Sequence, residues 1–446
     1  MSRRILLYNP VSWRGHLDSW AGLFARNLMR RGHEVFLLTE NAAAARDCAV
    51  PEPGRLTILP WARDLRPGHV RTFSNARDYL REFLKRHGKG IAPILPEKEM
   101  SPSVRRRKAF FGAVVPPLYA LTASLFPRFI HPEERQGPRF APPRAAALRI
   151  VRALRAAPKR PDLIFNLYLD GYDMTEEAWG RYESACPLPW VGIRFHPPDD
   201  PLRDGFYHLP SCRGAFFLDE RIVQRYAAAF PDRHISFLPD VTDTRLPDAP
   251  TALEEEVRRR SAGRKIVFLG GTIGGQKDLA TWYGVIRAAD RGRFYFVQVG
   301  EVIESTMTPE DRSARDAAMR EPPENLFILE RFLPDEAEFN ALIRSCDIIY
   351  AVYRDFRHSS NMLAKAASFE RPILVSGRLL MGERVRRYSL GLTVAEGDVE
   401  GIAEALNALA TRPRTSYGFA EYRSDLSEER FSDLLDACVE QCAGGG

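Results

Sequence analysis

The chain is 446 residues long, 45% hydrophobic, and carries a formal net charge of +6. That length allows two packed cores, and the composition excludes a disordered or collagen-like chain. The six cysteines, at 48, 186, 212, 346, 438 and 442, form no CxxC pair and no zinc spacing, which fits a reducing, cytosolic setting. Cys438 and Cys442 share one face if their segment is helical, yet no histidine stands near them in sequence, so no metal site is expected.

The basic charge is local. Segment 101–160 holds thirteen Lys or Arg against Glu133 and Glu134, so the rest of the chain is mildly acidic. Basicity gathered in one insertion implies a local contact rather than a surface that coats a polyanion. Arg105, Arg106, Arg107 and Lys108 stand among Phe110, Phe111, Tyr119 and Phe126, and Arg149, Arg152 and Arg155 recur at helical spacing. The mixture suits either an anionic membrane surface or a solvated insertion. Single-stranded nucleic acid uses the same residue types, but no RRM, OB or helix-turn-helix pattern accompanies them, so no nucleic acid is expected. The uncharged run Ala109 to Pro127 is long enough to span a bilayer, yet Gly112, Pro116 and Pro117 argue against a transmembrane helix.

Ile5 to Tyr8 is too short for a secretory signal and reads as a first strand. A turn-rich loop follows, then Leu17, Trp20, Phe24 and Leu28 at helical spacing, Gly32 as a stop, and Val35 to Leu38 as a second strand. Further strands are predicted at 57–59, 163–167, 190–194, 214–217 and 235–238. Charged residues and prolines between Asp248 and Arg264 mark a connector, so a first domain covers 1–245 with the insertion 101–160, and 246–264 is a linker. From Lys265 the alternation restarts: strands at 266–269, 294–297, 326–329, 348–350 and 373–375, with helices near 278–290, 335–345 and 360–369. Asp398 caps a helix whose Ile402, Leu406 and Leu409 share one face. A second domain thus covers 265–426, and Ser427 starts a last helix within 427–446. Apolar strands separated by helices predict an α/β chain with two Rossmann-like, doubly wound parallel-sheet domains. Their strand carboxyl ends face a crevice.

The strand, glycines and lysine of Phe268-Leu269-Gly270-Gly271-Thr272-Ile273-Gly274-Gly275-Gln276-Lys277 form a candidate phosphate cradle of backbone amides, helix dipole and point charge. It is neither a Walker A loop nor GxGxxG, and the alternative is a tight turn beside a solvated lysine. A second candidate runs through Tyr353, Arg354, Arg357, His358, Ser359, Ser360 and Asn361, where free amides open another helix beside cations; here the alternative is a serine cap with basic residues in water. Two anion-ready helix starts in one domain suggest a diphosphate. In the first domain His16 can act as a proton acceptor near Asp18, unless Asp18 simply caps the helix and His16 is solvated. His196, after the strand 190–194, is either a crevice histidine or a loop residue before Pro197.

The order of these pieces resembles the GT-B glycosyltransferases, in particular the family-four group that uses sugar nucleotides. The resemblance rests on Phe268 to Lys277, on Ser359 to Ser376, on Leu390 to Leu406 with its Gly391-Leu392-Thr393-Val394 and Gly397-Asp398, and on Leu238 to Thr244 before the hinge. It implies a metal-independent, hexosyltransferase-like enzyme with a nucleotide-diphosphate sugar as co-substrate, no other cofactor, and retention of configuration. Gly271, Thr272, Lys277, Tyr353, Arg354, Arg357, Ser359, Ser360, Asn361 and Lys365 would bind the donor, and His16, Asp18 and His196 would serve catalysis. One departure stands out: where the family places two carboxylates, this chain has Lys365 and Arg357. A lysine cannot accept hydrogen bonds from ribose hydroxyls but can pair with phosphate. The acceptor would be lipid-linked or a polysaccharide in cell-surface glycan synthesis if the basic insertion touches the inner face of a membrane. The alternatives are a remodelled GT-B module that binds or scaffolds at a membrane, and a sugar-nucleotide epimerase.

Overall fold

The computed structural model describes residues 2–12, 17–49, 55–61 and 141–443, which fall within one compact unit. His16, the run 109–127 and the part 101–140 of the basic insertion lie outside the described residues.

The first domain comprises β1 (Arg4–Tyr8), α1 (Leu17–Arg30), β2 (Glu34–Leu38), α2 (Ala42–Ala49), β3 (Leu56–Ile58), α3 (Pro143–Ala153), β4 (Leu163–Asn166), α4 (Glu176–Ala185), β5 (Trp190–Arg194), β6 (Cys212–Phe217), α5 (Glu220–Ala229) and β7 (His234–Phe237). Its seven strands are parallel in the order β3-β2-β1-β4-β5-β6-β7. β1 is the central example of why the strands read as continuous apolar runs. Leu6 pairs with Phe36 on one side and Ile164 on the other, and Ile5 to Tyr8 are fully buried because both sheet faces are covered.

The second domain follows α6 (Ala252–Ser261) and contains β8 (Lys265–Gly270), α7 (Leu279–Ala288), β9 (Phe294–Val299), α8 (Pro309–Arg320), β10 (Leu326–Leu329), α9 (Glu336–Ser345), β11 (Ile348–Ala351), α10 (Asn361–Ser368), β12 (Ile373–Ser376), α11 (Leu380–Arg387), β13 (Gly391–Val394), α12 (Val399–Thr411) and α13 (Phe419–Asp425). Six parallel strands run in the order β10-β9-β8-β11-β12-β13. Asp398 caps α12 by accepting from the Gly401 amide at 2.9 Å, as the sequence indicates. The expected α/β class with two parallel-sheet domains is what the chain forms.

The last helix, α14 (Glu428–Cys442), does not stay with the second domain. It returns to the first, where Phe431, Leu435, Cys438 and Val439 pack into one core with Trp20 and Phe24 of α1. Arg149 also departs from its expected solvent-facing role. It donates to the Tyr8 hydroxyl at 2.9 Å and lies 4.4 Å from the centre of the Trp61 ring, so only Arg152 and Arg155 of that spacing face water. Among the described residues no helix is long and apolar enough to cross a membrane.

The two domains are bolted by α11. Arg384, 2% exposed, donates to the Leu218 carbonyl at 2.6 Å and to Glu220 at 2.5 Å, while also reaching Ser359 at 2.8 Å. These contacts fix the loops that face one another across the crevice.

Candidate functional site

In each sheet the strand order reverses beside the first strand, between β1 and β4 and between β8 and β11. Loops after the carboxyl ends of such strands diverge and leave a crevice. In the second domain the loop after β8 turns through Gly271 at φ +90°, a conformation that a side chain resists and glycine accepts. It then forms a short 3₁₀ turn, Gly275–Lys277. The Lys277 ammonium donates to the Gly270 carbonyl at 3.1 Å and to the Tyr353 hydroxyl at 2.6 Å, and lies 3.9 Å from the centre of the Tyr353 ring. An ammonium has three donors, so one remains for a ligand. Gly271, Thr272, Lys277 and Tyr353 are thereby gathered at the β8/β11 switch point, with Thr272 exposed.

Arg354 belongs to the frame of this site. It bridges Asp278 and Asp311, the latter at 2.9 Å, and donates to the Gly275 carbonyl at 3.2 Å. Asp278 caps α7 from the left-handed region at φ +47° and accepts from the Thr281 amide and hydroxyl. The amino end of α7 is therefore closed by its own carboxylate and is not presented to a phosphate. Burial works against ionised Asp311, but hydrogen bonds from Arg354 and the Ala280 and Thr308 amides outweigh it and hold the carboxyl below the ordinary aspartate range.

The next loop divides its residues differently from the expectation. Arg357 is exposed and sits 3.5 Å from Asp355. Ser359 donates to Asp240 at 2.8 Å, which ties this loop to the hinge segment of the first domain. Ser360 caps α10 by accepting from the Met362 amide at 3.4 Å, and Asn361 opens the helix half-buried. Lys365, one turn further along α10, is fully buried; it pairs with Glu336 at 2.7 Å and donates to Asn340 and to the Asp243 carbonyl at 3.3 Å. Its charge is spent inside the protein, which removes the ground for pairing it with a phosphate. The reason is steric as well as electrostatic, since α9 and the segment around Asp243 cover it.

On the first domain, Asp18 is buried and accepts from the amides of Asn9 at 3.2 Å and Asn41 at 2.9 Å. It brackets the loop after β1 to the loop after β2. His196 follows β5, and its backbone amide donates to Asp170 at 2.7 Å, with the ring nitrogen 3.7 Å from the same carboxylate. Asp170, placed after β4, is itself held by Arg194 at 2.5 Å.

Across the crevice the His196 ring meets the His358 ring edge-on, with centroids 4.2 Å apart. Burial lowers both imidazoles below the usual histidine range, His358 to about 4, where the neighbouring His196 adds to the effect. Two neutral imidazoles from opposite domains thus share the cleft. Asp170 was missed as a site residue; the available signal was an acid just past the carboxyl end of a predicted strand. His358 stood within the second candidate stretch, but nothing local pointed it at His196.

No family model matches the chain, and no curated protein matches it in sequence. Solved structures do match. HepE of Anabaena, in complex with UDP and glucose, aligns over 98% of this chain and 99% of its own at 10% identity, with a TM-score of 0.58. A UDP-forming trehalose-phosphate synthase from Burkholderia xenovorans aligns over 100% of both chains at 14% identity and a TM-score of 0.58. The sucrose-phosphate synthase of Thermosynechococcus elongatus aligns over 99% of both at 11% identity and a TM-score of 0.55. These neighbours are GT-B glycosyltransferases, and at such identities the likeness establishes the fold: two Rossmann-like domains in the GT-B arrangement.

Proposed function

We propose that this chain is a glycosyltransferase that moves a hexosyl group from a nucleotide diphosphate to an acceptor in the crevice between its domains. The observation that carries this reading is the Lys277–Tyr353 pair at the β8/β11 switch point, with an ammonium donor left over. As the sugar–oxygen bond breaks, negative charge gathers on the departing diphosphate. Lys277, set in the loop after β8 beside Tyr353, is the charge that stabilises it, without a metal in the step. His196, neutral and with its backbone amide held by Asp170, is a suitable acceptor for the proton of the attacking hydroxyl. Incubating the purified chain with a panel of sugar nucleotides, without added divalent metal, should give donor hydrolysis or transfer that Lys277→Ala abolishes. Failure to bind any donor overturns the reading.

Burial of Lys365 favours a second reading. A position where the resembling family places a ribose-binding carboxylate is here an internal ion pair, so the fold can serve as a binding module without turnover. Donor binding with neither hydrolysis nor transfer, across a panel of acceptors, selects this second reading. An acceptor carried on a lipid fits segment 101–160, whose described part exposes Arg144, Arg152 and Arg155. Flotation with anionic vesicles, with and without that segment, tests the membrane contact.

A further inference from the structure

His234 opens β7 at the edge of the first sheet, and α14 packs along that edge. The fold thereby brings a ring nitrogen of His234 and the thiol sulfurs of Cys438 and Cys442 within 4.8 Å of one another. These three donors come from segments some two hundred residues apart, which is why no local zinc spacing announces them. The two sulfurs are 3.8 Å apart. A zinc ion with Zn–S bonds of about 2.3 Å and tetrahedral angles requires a sulfur–sulfur edge of roughly this length.

The histidine is prepared as a ligand. Its Nδ1 lies 2.7 Å from the Gln441 amide oxygen, which can only accept, so Nδ1 carries the proton and Nε2 keeps a lone pair. Nε2 is buried and has no hydrogen-bond partner. Phe216 meets the ring at 5.5 Å, and Cys438 and Cys442 are buried in the apolar core shared with α1. An unpartnered imidazole nitrogen beside two buried thiols is a set that a thiophilic cation satisfies and that water serves poorly.

We propose that His234, Cys438 and Cys442 form a binding site for a thiophilic divalent cation, zinc being the representative ion, which pins the returning C-terminal helix to the edge of the first sheet. A fourth position is left to water. Binding converts two thiols to thiolates and releases two protons, so affinity rises with pH. His234 stands at the amino end of its strand, whereas the crevice lies beyond the carboxyl ends. The ion is therefore structural, separate from sugar transfer, and this inference does not depend on the proposed activity.

The full, reduced chain titrated with zinc against a chromophoric chelator should take up one equivalent. Cobalt in its place should show a thiolate-to-metal charge-transfer band. Cys438→Ser and Cys442→Ser should each lose that band, and His234→Ala should weaken zinc binding at least tenfold. Gln441→Leu, which removes no ligand, should weaken it about 10- to 100-fold by freeing the imidazole tautomer. Because a substitution in the core can unfold the domain, the unmodified protein supplies a second readout. Zinc should protect two thiols from alkylation and raise the melting temperature in proportion to the logarithm of its concentration. No zinc uptake overturns the site, as does uptake that survives all three ligand substitutions. Formation of a Cys438–Cys442 disulfide in air without zinc affinity overturns it equally.

Discussion

Lys277 donates to the Tyr353 hydroxyl at 2.6 Å, and this bond joins the loops that follow two neighbouring strands whose connections run in opposite directions. The ammonium is thereby held in place rather than left to wander on its four-carbon stem, with one donor left over. A charge-assisted hydrogen bond to phosphate is worth about 1.5–3 kcal/mol. Lys277→Ala is therefore expected to weaken sugar-nucleotide binding roughly 10- to 100-fold. Tyr353→Phe keeps the ring under the ammonium and removes only the hydroxyl, so its effect should stay below about tenfold. Calorimetric titration with the same donor checks both, and equal affinities for Lys277→Ala and the unaltered chain would remove Lys277 from the donor site.

Arg354 holds Asp278 and Asp311 together beneath that loop. Asp311 is fully buried, so deleting the guanidinium leaves two carboxylates facing one another with one of them cut off from water. Arg354→Ala is expected to cost about 2–4 kcal/mol of unfolding free energy. Arg354→Lys should recover only part of this, because one ammonium cannot serve both acids and the Gly275 carbonyl with fork geometry. Urea unfolding at pH 7 measures the difference. A loss under about 0.5 kcal/mol, the range of ordinary surface substitutions, would mean that the bridge is not a structural element.

Restoring the carboxylate of the resembling family is expected to harm this protein. In Lys365→Glu the new acid would meet Glu336 at a fully buried position where the native ammonium pairs with it at 2.7 Å. The expected loss is about 3–5 kcal/mol, with no gain in donor affinity. Exchanging both residues, Lys365→Glu with Glu336→Lys, should recover much of the stability because the pair is re-formed in reverse. A single Lys365→Glu chain that folds as well as the unaltered one and binds donor more tightly would show that the position still faces ribose.

The parallel sheets were legible because a strand buried on both faces has no room for polar residues. Ile5 to Tyr8 and Val267 to Leu269 announce themselves without neighbours. The caps at Asp398 and Ser427 were legible for a similar reason, since each needs only its own first turn. The partners of charged groups were not. Lys365 finds Glu336 on another helix, Arg354 finds Asp311 two strands and a helix earlier in the chain, and His234 meets cysteines at the far end of the chain. The apolar stripe of α14 says that it packs on a sheet and does not say which one. Its return to the first domain follows from Trp20 and Phe24, which leave an aromatic seat that Phe431 fills with centroids 4.8 Å from Phe24.

The pair His196 and His358 gives the crevice a pH dependence of definite sign. Both imidazoles titrate below the ordinary value of about 6.5 in the folded chain, His358 near 4, because burial disfavours the cation and, for His358, the neighbouring His196 opposes charge as well. Arg194 and Arg357 act in the same direction, while Asp170 and Asp219 act against it. The unfolded chain takes up protons as pH falls through about 6.5 and the folded chain does not, so stability present above that pH is lost progressively down to about 4. In His358→Asn the neighbouring charge on His196 has no imidazole to oppose it, and the group that titrates near 4 is gone. The melting temperature of this variant should therefore fall less steeply between pH 6.5 and 4 than that of the unaltered chain. Thermal scans at half-unit pH steps read the slope directly. Parallel curves over that interval would show that His358 does not titrate below the ordinary histidine range in the folded chain.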